Sequence, residues 1–343
     1  MNISINWKRA ELLFGTLLTA LKQEAFPYDF AKPPQRQENL PRNLVWGSLE
    51  HSWFLFCVCY YMRGGIKSDR AIRALARMYE ECPSYFNPET FVWPYVSDEV
   101  KIASVKDLLQ RMTLNYKAGE TSIHWVRNFQ KLVRFWNGDP RKLFDGVTSY
   151  QDICDRLMHD SAKSPDNPNG YFGFRNKMVS MLTHFYLDAG IVQPFPFQVP
   201  VDFHVLRMMI SHGAIVVDAP IGTNIFSLEL LATARKLSQE YCQKHNVDPL
   251  RLGDALWLLS SNLCWRHPGN RTLVKKLDGR KSILGRAPVT WSRPQVDAVF
   301  KSCEFCPVAK TCQSNIPAAE YYIRGQIVIV GPRLMPSHQL LFR

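Results

Sequence analysis

Four cysteines stand out in this chain for their spacing. The stretch SCEFCPVAKTC sets Cys303, Cys306 and Cys312 in a C-x2-C-x5-C pattern. Upstream, DALWLLSSNLCWRHP puts Cys264 near the end of an apolar helical run, and no other cysteine lies so close before Cys303. Cys264 is therefore the natural fourth ligand. Four thiolates suit tetrahedral zinc or a [4Fe-4S] cluster. Zinc sites more often pair two short knuckles, whereas here one cysteine stands alone and three sit together, which favours the cluster and leaves zinc as the alternative. A chance group of buried free thiols is the plain reading. Buried cysteines usually sit in apolar runs, and this stretch is mixed.

The second place is FQVPVDFHVLRMMISHG. Pro200 fixes the approach, Asp202 stands where a helix N-cap belongs, and Val205, Met208 and Met209 follow at helical spacing. Capping alone explains Asp202.

Composition limits which of these readings are open. The 343 residues are 46% hydrophobic and 21% charged, enough to bury a core in two modest domains or one large one. The formal charge of +12, with pI about 9.3, favours a polyanionic partner, most simply nucleic acid; an indifferent basic surface is the alternative. The N-terminal stretch MNISINWKRAELLFGTLLTALKQ has no small-residue cleavage site and reads as an amphipathic helix. The longest apolar run, Trp53 to Met62, is too short to span a bilayer. The nine cysteines are an odd count in a chain too large to need disulfide staples, so the expectation is a soluble, cytoplasmic, reducing-compartment protein, and a monomer.

The elements that must position these residues read as helices nearly throughout. GSLEHSWFLFCVCYYM starts at a Ser48 cap and is apolar around most of its circumference, the pattern of a central helix. KSDRAIRALARMYEE has a capping Ser68 or Asp69, then Ile72, Leu75, Ala76 and Tyr79 at helical offsets. The segments beginning at Ser97, Ser122, Ser149, Phe174, Asp202, Ser227 and Arg251 repeat the pattern. Only GQIVIVGP reads as a strand. The expected class is all-α. A proline-rich lead-in from Pro27 to Pro41 and a long polar segment from Arg266 to Lys301 read as linker and insertion.

Taken in order, a glycine-bearing turn, an amphipathic helix, VPVDFHVLR, a helix with Trp257, and then Cys264 with C-x2-C-x5-C resemble the helix-hairpin-helix DNA glycosylase superfamily, in its endonuclease III-like iron-sulfur branch. The resemblance runs from about Trp46 to Cys312. It implies a two-domain fold with a six-helix barrel over residues 46–199, a hairpin near 168–178, and an iron-sulfur domain over 200–320 with a basic insertion at 265–302. Residues 1–45 would be a lead-in packing on the cluster domain, and 321–343 a C-terminal tail. It further implies Asp202 as catalytic carboxylate, a [4Fe-4S] cluster on Cys264, Cys303, Cys306 and Cys312, and double-stranded DNA as partner.

The chain departs from that family in two places. The first gap between cluster cysteines holds 38 residues (265 to 302) rather than six. Its RHPGNRTLVKKLDGRKSILGR stretch carries seven Lys/Arg against one Asp, so Arg271, Lys275 and Lys276 are candidate phosphate contacts. The hairpin reads NGYFGFRNKM, with Gly170 and Gly173 one residue further apart than in the family turn. Bifunctional members place a lysine two residues after the second glycine, where its amine forms a Schiff base. Here that position is Arg175, which cannot serve, and Lys177 lies two further on. A monofunctional glycosylase is expected, with Lys177 as the alternative nucleophile. In YMRGGIKSD, Arg63 is the candidate wedge into the DNA stack, flanked by Gly64 and Gly65. Trp46, Trp53 and Tyr60 are available for a pocket wall, while His184 and His204 read as structural histidines.

Overall fold

The computed structural model describes residues 1–62, 68–158, 166–218, 225–263 and 305–312, with the backbone alone of four short strands beyond residue 272. The chain is mostly helical, and it divides into two compact units, one of residues 34–200 and the other of residues 1–33 with 201–343. The first 33 residues thus join the C-terminal unit, whereas 34–45, grouped with the lead-in from sequence, belong to the middle one.

The middle unit is built around α2 (Leu49–Tyr61), which starts where Ser48 Oγ accepts the His51 N–H at 3.1 Å. Nearly its whole circumference is buried, as a centrally placed apolar helix must be. Against it pack α3 (Ser68–Glu81), α5 (Ala118–Trp136) and α7 (Asn176–Asp188), while α4 (Asp98–Arg111) lies along α5. The interior is aromatic. Phe56 stacks on Phe174 at 5.0 Å and meets Tyr171 edge-on at 5.9 Å, and Tyr60 meets Trp125 edge-on at 5.4 Å. The short α6 (Tyr150–Leu157) opens with a capping box between Ser149 and Asp152 and packs on α7.

The second unit holds α1 (Trp7–Lys22), α8 (Phe203–Ser211), α9 (Leu228–His245) and α10 (Pro249–Asn262). Both α1 and α8 pack on α10, and Tyr28 donates its hydroxyl to the Ala255 carbonyl at 2.8 Å. Sequence reading expected one strand, within GQIVIVGP, and β6 (Ile327–Val328) falls there, paired with β5 (Ala318–Ala319). The structure adds an antiparallel ribbon of β1 (Asn2–Ile5) with β2 (Ile215–Asp218), and a hairpin of β3 (Leu273–Leu277) with β4 (Arg280–Leu284) inside the expected insertion. Strands of four or five residues carry too little alternation to register as a period, and the partner of β1 lies on the far side of the sequence. No helix among the described residues is long and apolar enough to cross a membrane.

Candidate active site

Asp202 is the N-cap of α8, with extended backbone at φ −124° and ψ −172°. Its Oδ1 accepts the His204 N–H at 2.8 Å and the Val205 N–H at 3.1 Å, and among the described residues Oδ2 takes no hydrogen bond. The helix is driven down by its apolar side, with Val205, Leu206, Met208 and Met209 all buried, so the half-buried carboxylate is held by packing as well as by the cap. His204 is a core residue: its Nδ1 lies 3.1 Å from Ser260 Oγ and its ring meets Trp257 edge-on. His184 is likewise buried, against Phe185 and Phe197.

Helices α6 and α7 are tied at their facing ends, where Tyr150 Oη donates to the Asn176 carbonyl and lies 2.7 Å from Ser180 Oγ. In the described part of the turn between them, Gly170 at φ 80° and Gly173 at φ 86° both occupy the left-handed region. The N–H groups of Gly170 and Tyr171 satisfy the last carbonyls of α6, at Arg156 and Leu157. Helix α5 pins the turn from below. Lys131 Nζ donates to the carbonyls of Asn169 and Gly170 at 2.8 Å each, and Asn128 bridges both the N–H and the carbonyl of Phe172. Burial pushes the Lys131 ammonium below its usual range. Sequence reading missed both side chains because polar residues in SIHWVRNFQKLVRFW fit equally well on a solvated face; the only signal was their place among Trp125, Phe129 and Leu132.

Arg175 is exposed at the N-cap of α7 and makes no side-chain cap. In the first turn of α7 the Met178 N–H donates to the Arg175 carbonyl at 2.7 Å, and no side chain of the N-cap covers the start of the helix. Lys177 is half-buried at the second helical position, and its charge acts on Cys59, whose thiol donates to the Met178 carbonyl and is pushed up overall by burial. Tyr60 is a core residue with its hydroxyl on Cys57 Sγ, Trp53 donates to the Gly138 carbonyl, and Trp46 lies against His51.

Cys306 and Cys312 flank a short 3-10 turn, Ala309–Thr311, and both are half-buried. Val308 between them is buried, Thr311 Oγ1 lies 3.1 Å from His212 Nδ1 just beyond α8, and Phe305 contacts Phe26. Cys264 and Cys303 lie outside the described residues, as do Arg63, Gly64, Gly65 and Arg271. Among the described residues no three His, Cys, Asp or Glu side chains form a metal-binding group. Lys275 and Lys276 fall on β3, opposite Ser282 and Lys281 of β4. Arg207, unflagged from sequence, is 1% exposed, with its guanidinium carbon 5.4 Å from the Phe203 ring centroid.

Gly170 and Gly173 of the α6–α7 turn, with Arg175 and Lys177, thus belong to the middle unit, and Asp202, Cys306 and Cys312 to the other. Comparison with protein-family models and with curated proteins finds no match to this chain.

Proposed function

We propose that the protein is a monofunctional DNA glycosylase, which flips a damaged or modified base out of duplex DNA and hydrolyses its N-glycosidic bond to leave an abasic site. The observation that carries this reading is Asp202, set in a V-D-x-H-V frame with one oxygen spent on the α8 cap and the other open. Breaking the glycosidic bond builds oxocarbenium character on the sugar. The open carboxylate oxygen stabilises that charge and orients the attacking water. The uncapped start of α7 and the two left-handed glycines support a phosphate contact at the hairpin, and the net charge of +12 supports a polyanionic partner.

The spacing of the four cysteines supports an iron-sulfur group. Cys306 and Cys312 sit on a turn closed over buried Val308. Cys264, Cys303, Cys306 and Cys312 would hold a [4Fe-4S] cluster whose contribution is structural, closing the C-terminal unit around its loop. Arg175 at the lyase position argues for hydrolysis without strand cleavage. The competing reading is a DNA-binding protein with no chemistry, in which Asp202 serves only as the α8 cap.

The test is a screen of purified protein against duplexes carrying oxidised purines, mismatched adenine, alkylated bases or bulky phage-type cytosines, scored for alkali-labile sites. A phage-type substrate would indicate a defence role rather than repair. Duplex binding with no alkali-labile site on any substrate would favour the binding-only reading.

A further inference from the structure

The middle unit carries a basic groove that the glycosylase reading does not use. On α3, Arg70, Arg73 and Arg77 recur at offsets of three and four and so share one helix face. All three are exposed, while Ala71, Ile72, Leu75 and Met78 among them are buried. They line a cavity of about 480 Å³ together with Glu38, Arg42 and Thr113, and the 37–39 turn packs on the same helix. Glu80 also lines it, but its Oε1 accepts the backbone N–H of Arg42 at 2.9 Å. Among the described residues none of the four arginines is in an ion pair. Four guanidinium groups against two carboxylates leave the groove net positive.

We propose that this groove binds the phosphodiester backbone of DNA, as a second contact apart from the hairpin and Asp202; it rests on the DNA reading above. From Arg70 to Arg77 the helix rises about 10 Å. One strand of a duplex presents a phosphate about every 3.4 Å along its axis, so the ladder spans about three phosphate intervals, enough for each of its three arginines to reach a different phosphate. A single free phosphate would occupy one rung and leave the rest idle. Guanidinium groups suit this ligand because their planar fork donates two parallel hydrogen bonds to one phosphate.

The experiment is the salt dependence of duplex binding, read by fluorescence anisotropy on an undamaged oligonucleotide. Each phosphate contact contributes about 0.9 to the slope of log affinity against log salt, so three contacts contribute about 2.7. The triple variant Arg70→Gln, Arg73→Gln, Arg77→Gln is expected to bind with a slope shallower by about 2 to 3, and the matching Lys triple to keep the wild-type slope. Circular dichroism of both is expected to match wild type, since all three positions are exposed. A Gln triple with the wild-type slope overturns the groove and leaves the DNA reading standing. Wild type that binds no duplex overturns the DNA reading, and the groove with it. Tripolyphosphate bound by wild type and lost by the Gln triple, with the DNA slope unchanged, would make the groove a small-phosphate site and overturn the proposal.

Discussion

Acid should weaken this fold through one histidine. His51 lies on α2 with no exposed surface, its Nδ1 accepting the Gly47 N–H at 3.0 Å and its ring 4.9 Å from that of Trp46. Nδ1 is thus an acceptor, which places the proton of the neutral ring on Nε2, an atom with no hydrogen-bond partner among the described residues. Burial pushes its pKa down to about 4. The unfolded chain takes up this proton near the usual histidine value of about 6.5, whereas the folded chain does not until near pH 4. Between those values the unfolded state binds more protons, so stability falls as pH falls, by about 1.4 kcal/mol per pH unit. From pH 7 to pH 5 the loss is about 2 kcal/mol. Urea unfolding followed by tryptophan fluorescence at both pH values, in wild type and His51→Gln, isolates the effect, because every other titrating group cancels in the double difference. The pH-dependent loss should be smaller by about 2 kcal/mol in the variant. An equal loss in both proteins, or an NMR titration showing the His51 ring protonated near pH 6.5, would refute the reasoning.

Lys131→Met should cost about 1 to 3 kcal/mol and loosen the hairpin, because the carbonyls of Asn169 and Gly170 lose their common donor; denaturant midpoints and amide exchange at residues 169–173 check it. Anaerobically purified protein should carry about four iron atoms per chain, and Cys303→Ser should lose iron and solubility together, whereas stoichiometric zinc without iron would replace the cluster by a zinc site. Borohydride should trap no covalent protein–DNA adduct, given Arg175 at the lyase position. An adduct that disappears in Lys177→Ala would make Lys177 the nucleophile.

The helices were legible because their signals are local. Ser48, Ser149, Asp202 and Ser227 all cap the helices that the apolar spacing announces, each accepting a backbone N–H a few residues on. The ribbon of Asn2–Ile5 with Ile215–Asp218 was not, since nothing in either short stretch names so distant a partner. At the candidate site, Asp202 as the α8 cap and the two left-handed glycines of the α6–α7 turn could be picked out by residue type and spacing. The side chains that hold the hairpin could not. Lys131 and Asn128 act through tertiary contacts with a turn some forty residues away, and a buried lysine and a solvated one look alike in a sequence. Arg207 was hidden by the apolar run around it, and only its place in the fold shows that it is buried.

The most direct test of the central claim is base release by Asp202→Asn. Asparagine keeps a side-chain oxygen for the N–H groups of His204 and Val205, so the α8 cap should lose at most about 1 kcal/mol and duplex binding should persist. The negative charge opposite the developing oxocarbenium ion is gone, a change worth about 100-fold or more in rate. On a substrate that wild type cleaves, single-turnover release by a folded, DNA-binding Asp202→Asn should therefore fall by at least that factor. Release at close to the wild-type rate would leave Asp202 a helix cap and place the chemistry elsewhere.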